Sequence, residues 1–180
     1  MRNLIIFCFL SLSITAFGQK YITKTGTIDF EASVPAFEPV KAKHSTTTAV
    51  LDLSNGNLAV LALVKGFRFK NALMEEHFNE NYMDSDTYPK TTFTGTIIDF
   101  NADDIGAKQE YTVKGTLTIH GKEKEIEAPI SLSKNGDTII LETTFTTAPG
   151  DFDIKIPNVV KEKISESIVV TGNFELAQRK

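Results

Sequence analysis

Residues 110–120 place Tyr111, Val113, Gly115, Leu117 and Ile119 on one side of an extended chain, and Thr112, Lys114, Thr116 and Thr118 on the other. Side chains alternate with a period of two along a strand and recur every 3.6 residues along a helix, so this stretch is a strand with one apolar face. The same alternation recurs along most of the chain. Residues 21–32 align Ile28, Phe30 and Ala32, and residues 45–53 align Thr47, Ala49, Leu51 and Leu53. Residues 57–69 group Leu61, Leu63, Phe67 and Phe69; Lys65 falls in that phase and marks either a bulge or the mouth of a cavity. Residues 91–100 align Phe93, Gly95 and Ile97, and residues 123–133 align Ile126, Ala128, Ile130 and Leu132. Ile139, Leu141 and Phe145 follow in 138–147, then Ile168, Val170, Gly172, Phe174 and Leu176 in 164–177.

Asn55-Gly56 and Asn135-Gly136 are hairpin signals, because both positions of such a turn tolerate positive φ. His120-Gly121-Lys122 reads as a third tight turn. One segment departs from the pattern. Across 71–83, Leu73, Met74, His77, Phe78 and Tyr82 recur at helical spacing among Glu and Asn, which predicts a short amphipathic helix, and Pro89 then returns the chain to an extended form. The segment 148–163, with Pro149, Gly150 and Pro157, reads as a connection.

About eight strands with short links favour antiparallel neighbours. A single helix is too small to cover such a sheet, so the sheet must cover itself. Closure into a barrel does this and removes exposed edges; a β-sandwich is the alternative. An eight-stranded barrel is either filled by side chains or holds one small ligand. Gly95, Gly115 and Gly172 on the apolar face fit a cavity, or they ease strand bending.

The first residues read as an export signal at 1–18. Arg2 is followed by an apolar run over 4–14, and Ala16-Phe17-Gly18 supplies small residues for cleavage before Gln19. Residues 19–180 then form one domain, periplasmic or secreted. The apolar run is too short for a comfortable helical span, and no later segment of the sequence offers one. Cys8 is the only cysteine and lies inside that run; Phe9-Leu10 continue it where a lipidated cysteine would need small residues before it. The mature domain therefore has no disulfide and no thiolate chemistry. Hydrophobic residues at 41 % and charged residues at 23 % set aside disorder and coiled coils. With a net charge of −4 and Lys and Arg scattered singly, the chain lacks the basic stripe that nucleic acid requires.

Catalytic signals are weak. His44 stands in an expected loop, His77 on the helix near Glu75, Glu76 and Glu80, and His120 at a turn. No second histidine supports a metal at His77, and neither a nucleophile elbow nor a phosphate-cradling glycine motif occurs. No cofactor or metal is expected. Phe67, Phe69, Leu73, Met74, Phe78, Tyr82 and Met83 form an apolar cluster at the strand–helix junction. It either plugs one end of the barrel or lines the entrance of an apolar pocket, where the two methionines adapt to a chain-like ligand.

Three stretches carry a resemblance. Asn71-Ala72-Leu73-Met74-Glu75-Glu76-His77-Phe78-Asn79, followed by Tyr88-Pro89 and Phe93, resembles a helix of L-x-x-x-x-F type leading to a "YP…F" strand start. Gly115-Thr116-Leu117-Thr118-Ile119-His120-Gly121 is similar to a G-x-L-T-I-H-G signature, and the last strand ends V-x-x-G-x-F. From about Thr46 to Leu176 the chain resembles the YceI-like family of periplasmic polyisoprenoid-binding, lipocalin-like barrels. Two departures stand out: the first strand lacks the family's histidine-bearing start, and Asp151-Phe152-Asp153-Ile154 stands where the family has R-x-D-F-G, without the arginine.

The resemblance implies an all-β, lipocalin-like barrel with a tunnel for a polyisoprenoid, an isoprenoid quinone or a similar apolar lipid, without catalysis. The expected pocket and mouth residues are Leu61, Leu63, Phe67, Phe69, Leu73, Met74, Phe78, Tyr82, Met83, Phe93, Val113, Leu117 and Phe145. A homodimer is compatible with this reading. The competing readings are an envelope interaction or stress protein with a filled barrel, and an enzyme acting on a lipid or glycan, with Lys65, His77 and Tyr82 the first residues to inspect.

Overall fold

A computed structural model describes residues 20–179, so the expected signal segment lies outside the described residues. Strands β1 (Lys20–Ser33), β2 (Lys41–Asp52), β3 (Asn57–Leu63), β5 (Lys90–Ile97), β6 (Gln109–Ile119), β7 (Lys122–Asn135), β8 (Thr138–Thr147) and β9 (Ile164–Gln178) form one antiparallel sheet, joined by a two-residue β4 (Arg68–Phe69). The strand order is β1-β9-β8-β7-β6-β5-β3-β2, and β1 also pairs with β2, which closes the barrel. β3 and β4 both pair with β2 and act as two pieces of one interrupted strand, so the barrel has the eight staves expected.

The interruption is a 3-10 turn over Val64–Gly66. With three residues per turn in place of two, it shifts the alternation by one position. Leu58 and Ala62 are therefore buried before the turn, and Phe67 is buried after it. Leu61 and Leu63 belong to the opposite face, which corrects the phase expected for 57–69. Lys65 does mark an irregularity, as its phase suggested.

Residue His44 is a second correction. It lies within β2 and is buried, not solvated in a loop. The register of β1 against β2 shifts between Gly26↔Thr47 and Ile28↔His44, so Ala42 and His44 face inward before the bulge, and Thr47, Ala49 and Leu51 after it. That break hides the alternation of the strand's first four residues. The His44 ring packs under Gly66, where any Cβ would collide with it, and meets the Phe67 ring at 5.1 Å.

The helix forms as α1 (Ala72–His77) and continues through a wider π turn over Phe78–Tyr82. Asn71 caps it, its side-chain oxygen accepting from the Leu73 N–H at 2.9 Å. Among the described residues no helix is long and apolar enough to cross a membrane.

Candidate functional site

The barrel interior divides into two halves. Toward the end that carries the Asn55-Gly56 and Asn135-Gly136 turns, Ala49, Leu51, Leu132, Ile139 and Leu176 are fully buried and fill the space. Phe174 lies above them as a floor. Gly172 and Gly26 make room for its ring: a Cβ on Gly172 would stand 2.8 Å from Phe174 Cε2 and 3.0 Å from Thr143 Cγ2. Gly95 and Gly115 do something different. They face each other across β5 and β6, and a Cβ on Gly95 would lie 2.9 Å from the Gly115 Cα, so they serve close strand approach.

Above Phe174 the interior is not filled. A cavity of about 510 Å³ runs from the floor to the end that carries α1. Its walls include Ile28, Phe30, Val60, Phe93, Val113, Leu117, Ile126, Phe145, Ile168 and Val170. Pockets of this size and apolar lining accept a small molecule. Charged groups reach it only at the mouth, as Glu38 and Lys163, where His77 also lines it. Thr147 also lines the cavity, and its buried Oγ1 has no hydrogen-bond partner among the described residues.

Three segments frame the mouth. The first is α1 with its π turn. Met74, His77, Phe78, Tyr82 and Met83 face the cavity, and the wider turn keeps Phe78 and Tyr82 on one side. The Phe78 ring packs on Phe30 at 5.5 Å, Phe67 at 5.7 Å and Phe69 at 5.1 Å, distances of favourable aromatic contact. Glu75 ties the helix to β4: its carboxylate accepts from Arg68 Nη1 at 2.6 Å and from the Phe69 N–H at 3.1 Å. Burial pushes the Tyr82 phenol above its ordinary pKa, consistent with an apolar setting.

The second segment is the loop 34–40, where Phe37, Glu38 and Val40 line the cavity; Asn71 Nδ2 donates to Glu38 Oε1 at 3.4 Å. The third is the stretch after β8, where Pro149, Phe152, Ile154, Ile156 and Val160 turn inward. The β6–β7 hairpin holds it. His120, at φ 50°, donates Nδ1–H to the Phe152 carbonyl at 3.2 Å and packs on Tyr88 at 4.6 Å. Lys124 pairs with Asp151 at 2.5 Å and Lys122 with Asp153 at 2.8 Å, and the Lys122 ammonium holds the Asp153 carboxyl below its ordinary range. The His-Gly turn thus positions a wall of the cavity.

Of the expected pocket residues, Phe67, Phe69, Met74, Phe78, Tyr82, Met83, Phe93, Val113, Leu117 and Phe145 line this one cavity. Leu61, Leu63 and Leu73 do not. The first two follow from the shifted phase. Leu73 stands one position off the Met74–His77–Phe78 face and is exposed. Sequence reasoning missed the loop 34–40 and the 148–163 wall. Phe152, Ile154 and Ile156 alternate, a signal masked by the flanking prolines. Near His77, Glu75 is engaged by Arg68, and among the described residues no group of three His, Cys, Asp or Glu gathers for a metal.

A family model described as the YceI-like domain matches residues 14–176. No match to a curated protein was found. Solved structures share the fold. A polyisoprenoid binding domain from Saccharophagus degradans, implicated in plant cell wall breakdown, aligns with a TM-score of 0.76 at 12 % identity over 90 % of this chain and 99 % of that one. BcnA of Burkholderia cenocepacia aligns at 0.69 with 18 % identity over 84 % and 96 %. A Campylobacter jejuni YceI protein aligns at 0.62 with 20 % identity over 82 % and 89 %.

Proposed function

This chain belongs to the YceI-like family, and from that premise we propose that it binds an apolar, chain-like lipid in the barrel cavity without transforming it. A polyisoprenoid or an isoprenoid quinone is the ligand class. The observation that carries the proposal is the unfilled upper half of the barrel, walled by Phe, Ile, Leu and Val, with charge confined to the mouth. The ligand class named for the Saccharophagus degradans domain supports it.

The energetics fit. Each methylene removed from water contributes about 0.8 kcal/mol, so a chain of several isoprene units is held without a strong polar anchor. Ordering the chain offsets part of that gain. Thr147 Oγ1 offers one hydrogen bond to a polar group of the ligand. In this reading the protein carries, stores or senses its lipid in the cell envelope, in the periplasm or beyond it, after cleavage near Gly18. The apolar run over 4–14 and the small residues that follow support that address.

Filling the cavity tests the site. Val170→Trp, on an inward position of β9, should cut binding of a dansyl-farnesyl probe about tenfold or more while the barrel stays folded by circular dichroism. Unchanged probe binding by the folded variant would place the ligand elsewhere.

A further inference from the structure

Six large hydrophobic side chains are exposed among the described residues, and three of them stand around the cavity mouth. Phe37 (42 % exposed) lines it from the loop 34–40. Leu73 (56 %) lies beside Met74 on α1, and Val159 (84 %) beside Val160 in the third mouth segment. Single exposed hydrophobics are ordinary on any surface. Three on separate segments framing one apolar opening form a rim.

Charge gives the rim a preference. Residues 154–163 carry Lys155, Lys161 and Lys163 against the single carboxylate of Glu162, in a chain whose net charge is −4. Lys161 pairs with Glu166 at 3.3 Å, whereas Lys155 and Lys163 have no ion-pair partner within 4.0 Å among the described residues. An apolar tip flanked by lysines is the pattern of a segment that seats in a lipid headgroup layer, its ammonium groups at phosphate level. Glu38 stands beside Phe37 at the mouth, and Glu76 and Glu80 share Leu73's side of α1, so the attraction comes from 154–163, and Phe37 and Leu73 add apolar area only.

We infer that the cavity mouth docks on the surface of a bilayer containing anionic lipid, with Val159, Leu73 and Phe37 entering the headgroup layer around the opening. This rests on the reading of the cavity as a lipid site. The hydrophobic effect that holds a prenyl chain in the cavity holds it equally in a bilayer, so passage through water is slow. Contact between mouth and bilayer lets the chain slide between two apolar surroundings.

Flotation tests the docking. The chain starting at Gln19, which contains the whole closed barrel, is mixed with vesicles of phosphatidylcholine alone or with phosphatidylglycerol added. Binding is expected to the anionic vesicles, to weaken with added salt, and to drop about tenfold in Val159→Asp combined with Leu73→Asp. Lys155→Glu with Lys163→Glu, which reverses the two unpaired cations, should weaken it comparably. Ile98→Asp, equally apolar and 41 % exposed but beyond the end of β5 that lies away from the mouth, should change nothing. No flotation of the parent, or equal flotation of the Val159→Asp, Leu73→Asp variant, overturns the inference.

A second arm separates this from failure of the cavity reading. Dansyl-farnesyl probe supplied in detergent micelles should load the parent and the rim variant alike, while only the parent takes it up quickly from anionic vesicles. A parent that refuses the probe from micelles sinks the lipid-site reading, and flotation still decides the docking.

Discussion

Buried at the bulge of β2, His44 has Nδ1 accepting from the Thr46 N–H at 3.2 Å and 2.9 Å from Thr47 Oγ1. A nitrogen that accepts a backbone N–H carries no proton, so the neutral ring holds its proton on Nε2, which has no hydrogen-bond partner of normal geometry. Burial lowers the pKa below the ordinary 6.5; a weak pull from the Leu63 carbonyl opposes this, and the Arg68 charge adds to it. The unfolded chain therefore takes up a proton near pH 6.5 that the folded barrel refuses. Stability from this residue is complete above that pH and is lost as pH falls toward the folded value. Thermal melts should show the midpoint dropping as pH falls from 7 toward 5, and His44→Phe should flatten the upper part of that drop. An unaltered profile in the variant would assign the effect elsewhere. At the cavity floor, Phe174→Ala should cost about 3–5 kcal/mol in guanidinium unfolding. By deepening the cavity it should also favour longer prenyl probes over shorter ones; a shift toward shorter probes would contradict the floor assignment.

At the scale of elements, α1 is attached to the barrel by few contacts. It contributes no buried residue of its own and is held by the Phe78 ring and the Arg68–Glu75–Phe69 contacts. Arg68 is largely exposed, so the ion pair alone contributes little, but Glu75 also satisfies a backbone N–H. Glu75→Ala should speed amide hydrogen exchange across 72–83 about fivefold and leave β6 and β7 unchanged. Uniform acceleration would mean that the helix is integral to the core. The elements also explain what the sequence could and could not reveal. Strands β5 to β9 keep one phase from end to end, so alternation alone places Val113, Leu117 and Phe145 on the inward face, where they stand in the structure. Alternation fails where its count is broken: by the turn at Val64–Gly66, which misplaced Leu61 and Leu63, and by the bulge after His44. The 148–163 wall was hidden because its inward residues lie between prolines. His120 looked like an ordinary turn residue, since its bond to Phe152 joins positions far apart in the chain.

For the whole molecule, what matters is how much of the barrel its own side chains occupy. No single residue encodes that. It depends on Phe174 sealing one half, on the bulges and glycines that shape the staves, and on three segments leaving the other end open. Apolar patterning favoured a closed barrel over a sandwich; the volume of about 510 Å³ emerges only when the staves are assembled. Native mass spectrometry of protein purified without detergent is the most direct measurement of the central claim. It should show one lipid molecule per barrel, lost on organic extraction and absent from Val170→Trp. Finding only the bare polypeptide mass in every gentle preparation would contradict the account.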